Sequence, residues 1–171
     1  GIYSKFLRVD IPFHSPWMEE IEAEFCHSIK EIPSRQAKIS VISTVTATMI
    51  AGDDIDAAYW FKNMAAPVRF EAAVSRAVAE GYATFLEIGP HPVLSGSISE
   101  CLFHQTGTVV HSLTRNEDER ESMLRSLATL YTRGIKIRWD LLYPAGNHFP
   151  FPAYPWRQVG TAQSKLPGSV F

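Results

Sequence analysis

Cysteine is nearly absent from this chain: 171 residues contain only Cys26 and Cys101, far apart and in no Cys-x-x-Cys pair. A disulfide framework is thereby excluded, and free buried thiols in a reducing cytoplasm are the expectation. No apolar run approaches the ~18 residues of a membrane span. Residues 1–10 carry Lys5, Arg8 and Asp10 and no apolar core, so no signal peptide is expected there. Neither sign of charge dominates, with 16 Lys and Arg against 18 Asp and Glu, and nucleic-acid binding has no electrostatic support. His27, His104, His111 and His148 show no metal-ligand spacing, so no metal site is expected. There is no Gly-x-Ser-x-Gly elbow to present a nucleophilic serine, and no internal repeat.

What is present begins with Asp10-Ile-Pro-Phe-His-Ser-Pro-Trp-Met18. Pro12 and Pro16 each fix their own φ and push the preceding residue out of helical geometry. His14 is thus held where an extended segment gives way to a helix. Two readings stand side by side: a general base with fixed geometry, or a histidine that satisfies local backbone groups at a helix start. Ser15 is the expected N-cap, Pro16 the N1 residue, and Met18, Ile21, Phe25, Ile29 and Ile32 define one buried face of a helix that Pro33 ends.

Lys38 to Thr46, rich in Ile, Val and Thr, reads as a buried strand. Asp54 is the expected cap of a helix running to about Asn63. Pro67 starts the next helix, with an apolar stripe through Phe70, Ala73, Val74, Ala77 and Val78 and Gly81 at its C-cap position. Thr84–Ile88 and Thr108–Leu113 are expected strands around a helix near 93–104, and Asp118–Thr132 is a further amphipathic helix stopped by Gly134. Alternating strands and helices predict an α/β fold with a mostly parallel sheet and flanking helices. From about Leu141 prolines and aromatics alternate, which predicts a stiff segment lying against a neighbouring surface. The chain opens without methionine inside a strand-like stretch, Ile2–Val9, as expected of a piece of a longer polypeptide.

Three segments together resemble one family: Asp10–Met18, Tyr59-Trp-Phe-Lys-Asn-Met-Ala-Ala-Pro-Val-Arg-Phe70 and Phe85-Leu-Glu-Ile-Gly-Pro-His-Pro-Val-Leu94. They resemble the C-terminal half of the acyltransferase domain of modular or iterative polyketide synthases, which is related to malonyl-CoA:acyl carrier protein transacylase. Leu113-Thr-Arg, Trp139-Asp and Tyr154-Pro-Trp-Arg157 resemble the linker that follows that domain. The resemblance implies an α/β-hydrolase-like large subdomain, with 1–10 the last strand of a ferredoxin-like small subdomain, 11–114 the C-terminal half of the large one, and 115–171 the linker.

It also implies roles. His14 would be the catalytic histidine, and the main-chain carbonyl of Asn63 would accept from its second ring nitrogen; Asn63 as a plain helix end is compatible with that. Ile11, Pro12 and Phe13 would bear on the choice of acyl unit, malonyl first and a bulkier or unusual unit behind it. The nucleophilic serine and the arginine that pairs with the substrate carboxylate would lie upstream. No permanently bound cofactor is implied: acyl-CoA would be substrate, and the acceptor would be phosphopantetheine on an acyl carrier protein. Implied partners are the N-terminal segment of the same domain, the adjoining ketosynthase and the carrier protein, in the cytoplasm. Two alternatives are a non-catalytic docking or scaffold segment of a multidomain synthase, and an ordinary serine hydrolase, which lacks its elbow here. His91, in its proline-locked loop, is expected to be structural, as are Cys26 and Cys101.

Overall fold

Gly-Pro-His-Pro and the apolar runs on either side of it build the central feature, a strand–helix–strand unit. In the computed structural model, which describes residues 10–103, 105–143, 145–147 and 150–155, β3 (Thr84–Glu87) and β4 (Thr108–His111) pair in parallel. The register runs from Thr84 opposite Thr108 to Glu87 opposite His111. Between them lies α4 (Ser95–Cys101). This is the expected α/β architecture, because a parallel pair requires a crossover, and a helix is the usual one. The core is Val74 of α3 (Phe70–Ala79) with Ile98 and Leu102, closed by Phe70, Val78, Phe85, Cys101 and Val109. Burial of these side chains stabilises by about 1.5–3 kcal/mol each.

The chain divides into two compact units, 1–137 and 138–171. In the first, α5 (Glu119–Thr132) lies on β4. Its Ser126 Oγ donates to the His111 carbonyl (2.6 Å) and Ser122 Oγ to that of Ser112 (3.2 Å). The expected linker boundary at 115 therefore falls before a helix that packs on the sheet. Asp118 caps α5 by accepting from Glu121 N at 2.8 Å, and Gly134 follows it at φ 84°. Gly81 likewise follows α3 with φ 91°, as its C-cap assignment requires. In the second unit, α6 (Trp139–Leu142) has Trp139 and Tyr143 stacked, with ring centroids 6.2 Å apart. The described residues beyond it, 145–147 and 150–155, have no regular secondary structure.

Three expectations are corrected. The helix after His14 begins as a 3-10 turn, Pro16–Ile21, and becomes α1 only over Glu22–Ile29. Ser15 holds the expected N-cap position with Pro16 after it, but its side chain caps no helix N–H; the hydroxyl donates back to the Pro12 carbonyl at 2.6 Å. Of the expected buried face, Met18 is buried while Ile21 and Ile32 are exposed. The strand expected over Lys38 to Thr46 is instead a short antiparallel ladder, β1 (Val41–Ile42) with β2 (Met49–Ile50). Ser43 is the reason: its hydroxyl takes the N–H groups of Val45 and Thr46 and turns the chain, a local bond that outcompetes extension. Finally, α2 (Ala57–Ala65) is capped by Asp56, which accepts from Tyr59 N, and Asp54 ends a separate 3-10 turn, Gly52–Asp54. The strand expected over Ile2–Val9, and the tail from Trp156 onward, lie outside the described residues. No helix among the described residues is long and apolar enough to cross a membrane.

Candidate active site

The site is built where the Pro12–Pro16 turn meets the end of α2. His14 takes φ 59°, the left-handed region that few non-glycine residues occupy. Holding it costs about 1–3 kcal/mol, and the surroundings supply the restraint. The His14 N–H donates to the Met64 carbonyl (2.9 Å), and the Ser15 hydroxyl closes the turn on Pro12. The imidazole Nδ1 lies 2.9 Å from the Ala66 carbonyl oxygen. A carbonyl oxygen only accepts, so Nδ1 carries the proton. In the neutral ring Nε2 then keeps its lone pair, the tautomer a general base needs.

Asn63 is not the acceptor; that assignment is corrected to Ala66. Asn63 lies within the last turn of α2, where carbonyls point along the helix axis. Ala66 is the C-cap, and because Pro67 follows, its backbone is driven to extended geometry (φ −80°, ψ 155°), which swings its carbonyl out of the helix towards His14. Pro67 marks in the sequence a carbonyl that turns aside, and the fold alone brings that carbonyl to the His14 ring.

His14 lines two cavities. The larger, about 460 Å3, is rimmed by Glu19, Glu22 and Lys62, with Phe61 and Pro67. The smaller, about 200 Å3, is formed with Thr44, Val45, Asn63, Ala66, Pro67 and Val68. Phe13 stands beside the histidine, ring centroids 6.4 Å apart at 47°. Yet Ile11, Pro12 and Phe13 line a third, open cleft with Asp10, Trp17 and Glu20. The left-handed turn at His14 throws neighbouring side chains to different sides.

At the far end of β3, Glu87 accepts from the N–H groups of Val93, Leu94 and Ser95 and from the Ser95 hydroxyl. The Ser95 hydroxyl, chiefly, and those N–H groups draw its carboxyl down from 4.5 to about 2 against the opposing effect of burial. His91 is structural, accepting at Nδ1 from Arg115 N (3.3 Å). Cys26 and Cys101 are free and half-buried, and burial, with Glu71 and Glu100 nearby, pushes the Cys101 thiol up. Among the described residues no group of three His, Cys, Asp or Glu side chains is placed to hold a metal.

A parallel α/β core carrying a backbone-tethered histidine defines the class, and comparison with known proteins supplies the family. The acyl transferase domain family matches residues 1–137, and the chain belongs to it. Over 162 residues it is 35% identical to erythronolide synthase EryA2 of Saccharopolyspora erythraea, covering 92% of this chain and 4% of that protein. Among solved structures it is similar to the acyltransferase domain from module 8 of the salinomycin polyketide synthase. That match has 34% identity and a TM-score of 0.75, covering 78% of this chain and 32% of that one. The domain from the second module of the same synthase matches at 30% identity and TM-score 0.77, over 84% of this chain and 35% of that one. The chain thus spans about a third of the solved domains and a small part of the synthase. It is an acyl transferase domain sequence, similar to the corresponding stretch of polyketide synthases.

Proposed function

We propose that this chain supplies the catalytic histidine of an acyltransferase that moves a malonyl-type unit from CoA to the phosphopantetheine thiol of an acyl carrier protein. The serine comes from an N-terminal segment of the same domain. The observation that carries this reading is the Nδ1 contact with the Ala66 carbonyl, which leaves Nε2 as the basic nitrogen. A main-chain carbonyl fixes the tautomer as a carboxylate does in a Ser-His-Asp triad, so no acidic third residue is needed.

The steps follow. Nε2 takes the serine hydroxyl proton as the serine oxygen attacks the thioester carbonyl carbon. The C–S bond breaks, and the departing CoA sulfur takes the proton from Nε2. The carrier thiol then gives its proton to Nε2 and attacks the acyl-serine ester, and the serine oxygen recovers the proton as its bond to the acyl group breaks. No bound cofactor takes part. Ile11, Pro12 and Phe13 act on the acyl unit from the histidine's flank, malonyl being the first expectation. The ketosynthase and the carrier protein are the partners, residues 11–114 form part of the large subdomain, and the aromatic tail forms the linker.

The test is reassembly with the serine-bearing segment, followed by malonyl-CoA and a carrier protein. Acyl-enzyme is expected by intact mass, and transfer is expected to fall about 10²–10⁴-fold in His14→Ala. The isolated 171 residues should gain no covalent acyl group. Transfer unchanged in His14→Ala overturns the reading and favours a scaffold role.

A further inference from the structure

We propose that Val45, on the turn between β1 and β2, is a determinant of acyl-unit selectivity, walling the small cavity beside His14. The proposal rests on the transfer reading above and adds a residue to it. Val45 is 31 positions from the histidine in sequence, and only the fold brings both to one cavity of about 200 Å3.

The choice between the two cavities is electrostatic. A malonyl-type unit carries a carboxylate. The larger cavity sets Glu19 and Glu22 against Lys62, an excess of negative charge that disfavours such a unit. The smaller has no acidic side chain: its polar groups are Thr44, Asn63 and His14, and its apolar wall is Val45, Ala66, Pro67 and Val68. Within it, Ala66 and Pro67 leave Val45 and Val68 as the apolar side chains whose bulk can set the space for a substituent.

Discrimination by one methyl group requires a wall that does not yield, and the turn bearing Val45 is tied down from every side. Ser43 is fully buried. Its hydroxyl accepts from Val45 N (3.0 Å) and Thr46 N (3.3 Å), which uses both lone pairs, so its own proton goes to Tyr59 Oη at 2.9 Å on α2. Ser43 N donates to the Thr48 carbonyl (2.9 Å), and Ala47 N to that of Ser43 (2.8 Å). Arg69 N donates to the Thr44 carbonyl at 2.7 Å, fastening the turn to the segment just past Pro67. The same short stretch, Ala66 to Arg69, therefore holds the histidine at one end and this turn at the other. A β-branched side chain with a stiff χ1 suits such a wall.

The experiment uses the reassembled acyltransferase with malonyl-CoA and methylmalonyl-CoA in competition for one carrier protein, reading the ratio of their kcat/KM values. Val45→Ala is expected to move the ratio about tenfold towards methylmalonyl, and Val45→Ile in the opposite direction. Should the alanine variant fail to fold, the isoleucine variant still carries the test. A ratio within about twofold of the parent in the folded variants, or a fall that is equal for both substrates, overturns the proposal. His14→Ala is assayed in parallel: lost transfer there with an unmoved ratio in the Val45 variants defeats this inference alone, and retained transfer defeats the reading beneath it.

Discussion

Replacing Glu87 by glutamine tests whether a side chain from the sheet holds the start of α4. Leu94 occupies the N-cap position of that helix and offers no side-chain acceptor. The helix instead borrows the Glu87 carboxylate, which meets Val93 N at 2.8 Å, Leu94 N at 3.0 Å, Ser95 N at 2.8 Å and Ser95 Oγ at 2.6 Å. Glutamine keeps the shape and one oxygen, but turns an NH2 group on donors that need an acceptor. Losing a cap costs about 1–2 kcal/mol, and hydrogen bonds to a charged group are worth about 1.5–3 kcal/mol each. With part of the set retained, the loss is about 2–3 kcal/mol. In the reassembled acyltransferase, more than twice the length of this chain by the solved domain it matches, that is about 2–3 °C in melting temperature.

The pH dependence follows from the depressed carboxyl, at about 2 in the folded chain against 4.5 ordinarily. A carboxyl depressed on folding gives its full stabilisation above the unfolded value and loses it as pH falls through the folded one. The gap between parent and Glu87→Gln should be flat from neutral pH down to about 5, then close as pH drops from 4.5 towards 2. Thermal melts by circular dichroism on the reassembled acyltransferase read both quantities. A variant melting within about 1 °C of the parent at pH 7, or a gap no smaller at pH 3 than at pH 6, refutes the reasoning.

Two further outcomes concern the frame around the site. Gly52→Ala places a Cβ 2.1 Å from the Arg35 carbonyl oxygen and 2.4 Å from Ala37 N. Backbone atoms cannot move aside as a flexible side chain can, and a loss of about 3 kcal/mol is expected in chemical denaturation. Asp56→Ala removes the cap of α2, the helix that carries the carbonyls of Met64 and Ala66 towards His14. About 1 kcal/mol is expected from the midpoint shift, and Asp56→Ser should restore most of it.

The sequence alone determined the α/β alternation, the ends of α3 and α5 at Gly81 and Gly134, and the position of His14, because these rest on local chemistry: apolar periodicity, glycine at positive φ and paired prolines. It also carried the family, through three ordered motifs. The contacts made across distance were set by three-dimensional packing. The partner of the His14 ring is Ala66 rather than Asn63, since Pro67 reorients one carbonyl and the three-dimensional approach of two segments selects it. The cap of α4 comes from Glu87 on a strand, which no inspection of the helix start reveals. The run expected to extend through Thr46 folds back because a buried serine hydroxyl finds its donors there and its acceptor on α2. A local pattern fixes what each segment can form; which polar group satisfies which partner is settled only when burial removes water as the alternative.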